Sequence, residues 1–404
     1  MFFEFDDYEL LKARIKVVGV GGAGGNAINR MIEDNLMGVE FIAVNTDAQD
    51  LDNNLAEVKL QVGQTITKGL GAGADIDIGC QAIEEDQENI KDAITGADMV
   101  FITAGMGGGT GTGAAPSIAR ISKGLGILTV GIVTRPFVFE GRQRAERADG
   151  GINELRRFCD TTLVIPNETL LRITDPNTGF ADSLKLADSI LHQATRGISD
   201  LINVHGLINL DFADVRTVML DMGEAILGTG IGHGEERAIL AAQQAIASPL
   251  LQNCNIAGAK GLLVNVTGDP SMTLHEVNDA ASIINEEAGD DVNVIFGAVI
   301  DSRLTDEFRV TVIATGFDRP AEANQRTPAS ARMVAVAGLP AGLTGPPSAG
   351  PIVGGLGRTP LPVDEEITYS EIGGEQARAF SEDLEIPAIL RTNTPSLAEG
   401  QLPR

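Results

Sequence analysis

Residues 105–113 read Gly105-Met106-Gly107-Gly108-Gly109-Thr110-Gly111-Thr112-Gly113. Six glycines interleaved with two threonines suit neither a helix interior nor a strand interior, because glycine loses the most backbone entropy on ordering and brings no side chain to pack. A bound phosphate offsets that cost: glycines let bare backbone N–H groups close around an anion, and threonine hydroxyls add donors. The flanks agree. Met99-Val100-Phe101-Ile102-Thr103-Ala104 reads as a buried strand leading in, and Ala114-Ala115-Pro116-Ser117-Ile118-Ala119-Arg120 as a helix leading out. Strand, glycine loop and helix in that order form a phosphate cradle.

A second glycine loop, Gly19-Val20-Gly21-Gly22-Ala23-Gly24-Gly25-Asn26, follows the apolar run Ile15-Lys16-Val17-Val18 and opens a helical pattern. Gly19-x-Gly21-x-x-Gly24 matches the dinucleotide fingerprint; the pattern alone is weak, with a structural turn as its alternative, but strand and helix sit where phosphate binding needs them. Two such loops in one parallel sheet both fall at its carboxyl edge, where ligands bind. A nicotinamide oxidoreductase, the competing reading, needs one such loop and no threonine-laced second one. The phosphate-loop NTPases are excluded differently: Gly-x-x-x-x-Gly-Lys-Ser/Thr is absent, as is Asn-Lys-x-Asp for reading guanine. The residues point to a nucleotide site of another class.

The 404-residue chain, 43% hydrophobic, can bury a core for two domains and a tail. Apolar runs stay short of the ~20 residues a bilayer span needs, so no direct membrane insertion is expected, and the acidic, aromatic start shows no basic leader. Cys80, Cys159 and Cys254 lack metal-ligand spacing and fit a reducing cytoplasm; no protein-held metal is expected. The net charge of -26 argues against a nucleic-acid partner. A polyanion that binds nucleotide needs local basic residues, and Mg2+ near the phosphates.

Up to residue 317 short apolar runs alternate with helical patterns, which reads as a parallel sheet with crossover helices, an α/β, Rossmann-like fold. Further strands are expected at 41–44, 128–134 and 162–165. Across residues 181–203 Leu184, Ala187, Leu191, Ala194, Ile198 and Leu201 recur at steps of three or four, the pattern of one long helix able to join two domains. Runs at 260–267, 292–300 and 309–315, with a helix over 274–288, read as a smaller α/β domain. Eleven of the 17 prolines lie beyond Phe317, in a stretch that reads as disordered linker. Within it, Asp383-Leu384-Glu385-Ile386-Pro387-Ala388-Ile389-Leu390-Arg391 has the composition of a short motif that folds on a partner.

The chain resembles the FtsZ family, the tubulin-like GTPases of prokaryotic cell division. The resemblance runs over residues 15–315 and resumes at 383–391. It rests on the loop ending in Asn26, the tubulin signature at 107–113, Arg135-Pro136-Phe137-x-Phe139-Glu140-Gly141-Arg142-x-Arg144, and Asn209-Leu210-Asp211-Phe212-Ala213-Asp214-Val215. It implies a tubulin-like organisation: an N-terminal extension (1–14), a GTP-binding domain (15–180), a long central helix (181–204), a smaller α/β second domain (205–317), a linker (318–380), a partner motif (381–391) and a tail (392–404).

By this resemblance Gly22, Ala23, Gly24, Gly25 and Asn26 contact the GTP or GDP phosphates together with Gly109, Thr110 and Gly111, while Gly107, Gly108, Thr112 and Gly113 complete the second loop. Glu140 and Arg144 reach ribose or phosphate, although by spacing alone they read equally as an i, i+4 surface ion pair. Asn167 and Asp188 bond the guanine edge, whose ring N–H and amino donors adenine lacks. Leu184 stands where the family often has an aromatic that stacks on the base. Asp211 and Asp214, by spacing alone a helix cap worth about 1 kcal/mol, are in the family the acids that polarise the attacking water, with Asn209 beside them, carried into the next subunit's site. The resemblance thus implies a homopolymer of head-to-tail filaments, hydrolysis coupled to assembly, a mid-cell ring in the cytoplasm, and membrane-tethering or division-regulating partners for the motif at 383–391.

Overall fold

Strands buried on both faces are built from near-continuous apolar runs, and the first such run, Ile15–Val20, forms β1. The computed structural model describes residues 13–172, 178–203, 206–208, 210–249, 256–289 and 291–317. Its further strands are β2 (Val39–Asn45), β3 (Val58–Gln61), β4 (Met99–Gly105), β5 (Leu128–Arg135), β6 (Thr161–Pro166), β7 (Gly223–His233), β8 (Gly261–Gly268), β9 (Asn293–Ile300) and β10 (Glu307–Thr315). Its helices are α1 (Gly21–Glu33), α2 (Ala48–Asp52), α3 (Gln64–Thr67), α4 (Ile76–Glu85), α5 (Gln87–Ile94), α6 (Thr110–Gly124), α7 (Arg142–Phe158), α8 (Asn167–Leu170), α9 (Phe180–Asn203), α10 (Phe212–Met219), α11 (Arg237–Ile246) and α12 (Leu274–Ala288). The linker, the motif at 383–391, the tail, Asn209 and most of the N-terminal extension lie outside the described residues.

The strands form one sheet in the order β3-β2-β1-β4-β5-β6-β7-β10-β8-β9. The first six run parallel, and their order reverses direction between β1 and β4, the switch point where doubly wound sheets open a ligand crevice. Successive residues face opposite sides: Val17 and Phe101 enter the core under α1 and α9, whereas Val18 and Ile102 enter the core under α4, α5 and α6. A third core gathers Phe308, Val310 and Val312 of β10 with Val264 and Val266 of β8, Ala241 of α11 and Ile284 of α12.

The long helix expected at 181–203 is α9, 24 residues, which at 1.5 Å per residue spans about 36 Å. Ala187, Leu191, Ala194, Ile198 and Leu201 are its buried face. At its far end Asn203 Nδ2 donates to Gly38 O (2.9 Å), just ahead of β2 and therefore at the amino edge of the sheet. The apolar runs read as strands all become strands, but β7 escapes the sequence pattern. It carries glycines at 230 and 232 because α11 lies directly on its backbone: a Cβ on Gly230 or Gly232 would collide with the Ala241 or Arg237 carbonyl. β7 pairs with β6 over Thr161↔Gly223, Thr162↔Glu224 and Leu163↔Ala225, then along its length with antiparallel β10, so the sheet is continuous from β3 to β9.

Phe308 is fully buried in the third core. Phe308→Ala should lower unfolding stability by about 3–5 kcal/mol, read as a lower urea midpoint at unchanged slope; an unmoved midpoint would contradict this packing.

Candidate nucleotide site

β1 and β4 are neighbours in register, Val20 opposite Ala104, and each feeds a helix at the carboxyl edge. The two turns touch backbone to backbone. Gly21 has φ +71°, and a Cβ there would sit 3.1 Å from Gly111 N; a Cβ on Gly105 would sit 2.6 Å from the Ala23 methyl, and one on Gly109 2.6 Å from Asp75 O. The sequence reading had the first loop open its helix but placed the second loop ahead of its own, with that helix starting at Ala114. In the structure Gly21 to Gly25 are the opening of α1, and Thr110, Gly111, Thr112 and Gly113 are the first turn of α6. First-turn amides have no intrahelical acceptor, so glycine there costs little helix energy and leaves N–H groups exposed to an anion. Gly113 N–H is the first amide of α6 to close the helical ladder, onto Gly109 O. Those of Thr110, Gly111 and Thr112 precede it, as do Gly21, Gly22 and Ala23 in α1, giving two helix N-termini side by side at one edge.

The threonines shape this loop before they can serve a ligand. Thr112 Oγ1 accepts from Gly107 N–H (2.8 Å), and Thr110 Oγ1 pairs with Thr46 Oγ1 (2.7 Å), which also accepts from Ala72 N–H (3.0 Å). Gly109 N–H donates to Gly73 O (3.0 Å). Gly108 faces open space. The anion donors that remain are therefore backbone amides.

Glu140 and Arg144 do form the i, i+4 pair (Nε–Oε2 3.0 Å), and Glu140 Oε1 also accepts from Phe137 N–H (2.8 Å). The pair adjoins the cradle: a Cβ on Gly107 would lie 2.7 Å from Arg144 Cγ. Asn167 opens α8 directly after β6, buried, with Oδ1 lacking a hydrogen-bond partner; an orphaned buried acceptor of this kind awaits a donor. Asp188 lies on α9. Burial pushes its carboxyl up to about 6, with the Arg30 guanidinium opposing. The side chain of Leu184 lies outside the described residues.

Sequence reasoning missed the β2 end of the site. Asn26 lines a cavity of about 70 Å³ with Gly22, Asn29, Asn45, Asp50 and Asn54. Asn45 Nδ2 donates to Asp50 Oδ2 (3.2 Å), and Asn54 Nδ2 donates to Gly25 O (2.9 Å), bracing α1. The available signal was positional: β2 pairs with β1, so whatever follows Val44 arrives at the same edge.

Asp211 occupies the N-cap position of α10, but its side chain makes no capping hydrogen bond; Asp214 follows in the first turn, and both are exposed. They are nowhere near the glycine loops. α10 ends at Met219, whose carbonyl receives Thr161 Oγ1 at the start of β6, and the chain reaches α10 only after α9 has crossed to the amino edge at Gly38. Phosphate amides and acidic pair thus occupy opposite edges of one sheet.

The Tubulin/FtsZ family, GTPase domain, matches residues 14–175, and the FtsZ family, C-terminal domain, matches 223–318. Among solved structures, an empty FtsZ dimer from M. jannaschii is 44% identical, with TM-score 0.73 over 78% of this chain and 93% of that one. A GTPγS-bound protofilament of CetZ2 from Haloferax volcanii is 21% identical, with TM-score 0.65 over 76% and 94%, a likeness of fold. The oxidoreductase reading finds no support among them.

Guanine offers two N–H donors, and an ionised carboxylate is the form suited to accept both, which makes the expected Asp188–guanine contact testable by pH. GTP affinity should therefore fall about tenfold between pH 7 and pH 5, as a carboxyl near 6 protonates in the empty site. Asp188→Asn should retain only the dependence of the nucleotide's own phosphate; identical profiles would exclude the contact. Gly109→Val should abolish binding, since its Cβ meets the Asp75 and Gly73 carbonyls; wild-type affinity would remove the cradle.

Proposed function

The chain belongs to the Tubulin/FtsZ family and is a GTPase by that membership, and on this premise we propose that it hydrolyses GTP only when stacked head to tail into filaments. The observation that carries the proposal is the separation of Asp211 and Asp214 from the glycine loops. One subunit cannot bring its acids to its own phosphates; a copy stacked on the cradle end can. A heterologous contact of this kind repeats without closing and gives a filament.

The residues divide the work. The first-turn amides of α1 and α6 hold the phosphates, Arg144 adds the local cation, Glu140 addresses the ribose, and Asn167 and Asp188 take the guanine edge. Asp211 and Asp214 of the incoming subunit, with Asn209, orient and polarise water toward the γ-phosphate. Mg2+ would be held through the phosphate oxygens, because no cluster of three or more His, Cys, Asp or Glu side chains suited to a metal occurs among the described residues; when bound it neutralises charge on the phosphates. Apolar side chains lie exposed beside both halves: Leu70, Val138 and Phe139 near the cradle, Leu207 and Ile208 near the acids. These two patches suit the two sides of one interface. After hydrolysis the γ-phosphate contacts vanish and the interface weakens, so filaments turn over.

We assign the filaments to the division ring at mid-cell in the cytoplasm, tethered through the motif at 383–391. No helix among the described residues is long and apolar enough to cross a membrane, which supports recruitment through such a partner.

Asp211→Ala and Asp214→Ala should each lower kcat about 100-fold, the scale for a group acting in the transition state, with GTP affinity within about twofold and longer-lived filaments by sedimentation and light scattering. A mixture of Asp214→Ala with Gly109→Val should show GTPase activity well above that of either alone, since each supplies the half the other lacks. No recovery, with both variants folded, would overturn the split site.

A further inference from the structure

α1 and α9 descend side by side from the nucleotide edge, with Ala27 and Met31 packed in one core with Ala187, Leu191 and Ala194. Alongside this seam lie four polar groups: Arg30 and Asp34 on α1 and its C-cap, Asp188 and His192 on α9, each pair four residues apart. Asp34 Oδ2 lies 3.1 Å from Arg30 Nε and 3.2 Å from His192 Nδ1, charge-pair distances, while Arg30 Nε itself is buried without a hydrogen-bond partner. His192 is 5% exposed, and its Nε2 is buried without a partner. The charged groups acting on the ring are Asp34 and Arg30 from α1, Arg196 from its own helix and Arg309 from β10; burial, joined by the three guanidiniums, outweighs the Asp34 carboxylate and holds the imidazole neutral, down at about 4. The neutral ring keeps one proton, and the Asp34 carboxylate 3.2 Å from Nδ1 favours the tautomer that carries it there.

An apolar residue would fill this seam without leaving a buried ring nitrogen unsatisfied. What the histidine supplies is a direction. It ties Asp34 at the end of the helix whose first turn faces the phosphates to the helix that carries Asp188, and Asp34 in turn holds Arg30, whose charge acts on Asp188.

We propose that His192 is a positioning residue for guanine recognition: through Asp34 it holds Arg30 against Asp188 and fixes the base-reading helix relative to the phosphate-binding helix. The inference rests on Asp188 being the acceptor for guanine. It adds a selectivity determinant one turn beyond that acceptor, on a side chain too deeply buried to touch the nucleotide.

The test compares equilibrium binding of GDP and inosine diphosphate, which lacks the 2-amino donor, to the full chain at concentrations below assembly. His192→Leu should weaken GDP about tenfold and inosine diphosphate only about twofold, the scale of one lost polar contact, without lowering thermal stability. His192→Asn, whose amide can donate near the place of Nδ1, should restore most of the preference. Asp34→Ala, altered at a partly exposed site, should lose it to the same extent, and the double variant should be no worse than either single one, as expected of one coupled contact. Should His192→Leu fail to fold, Asp34→Ala decides. An unchanged preference in these variants, with Asp188→Asn losing it, overturns the positioning role. If Asp188→Asn also keeps the preference, the guanine assignment itself has failed.

Discussion

No side chain fits on the glycines Gly21 and Gly105 where the turn after β1 meets the turn after β4, and the rest of the structure is arranged around that contact. Two parallel strands hydrogen-bonded to each other end at the same level, and each is continued by a helix within its next few residues. The helices can start so close together only if bare backbone stands on at least one side of each contact. That is why Gly21 faces Gly111 and Gly105 faces Ala23. The arrangement concentrates two sets of unpaired amides and two helix dipoles of one sign in one crevice, an electrostatic situation that an anion relieves. In a chain of net charge -26 such a pocket of positive potential is a local exception, built from peptide dipoles more than from basic side chains.

Support for the crevice comes from layers that never face it. Thr46 and Thr112 spend their hydroxyls on loop geometry, and Gly73 accepts from Gly109 N–H. α4 packs so tightly on α6 that a Cβ on Gly79 would strike the Gly109 carbonyl. On the other face α1 and α9 share an apolar seam and the polar ladder of Arg30, Asp34, Asp188 and His192. The candidate nucleotide site is thus held from both sides of the sheet, and α9 acts as a strut of about 36 Å whose upper half carries Asp188 and whose lower end delivers the chain to the acidic loop at the far edge.

Much of this was legible in the residues. The apolar runs gave the strands of the parallel half because strands buried on both faces leave no room for polar alternation. α9 declared itself by its period, and α12 matched the expected 274–288 span. β7 was not legible, since its glycines answer to a helix elsewhere in the chain. Nor was the β2 side of the site: Asn45, Asp50 and Asn54 look like ordinary loop residues until strand order places them beside α1. Asp211 is the sharpest case. Its spacing and helix position are those of a cap, and the structure puts it at an N-cap without a capping bond.

The sequence by itself determined that the chain carries two glycine turns suited to an anion, that it carries a long amphipathic helix, and that its motifs are those of the tubulin-like GTPases. These are local matters, settled by backbone entropy, periodicity and the chemistry of short segments. Only the tertiary structure decided that the two turns share one crevice, that the threonines brace it, that His192 ties α9 to the end of α1, and that the acids stand at the opposite edge of the sheet. Each depends on which strands are neighbours and how far a helix reaches, quantities fixed by packing among residues distant in the chain.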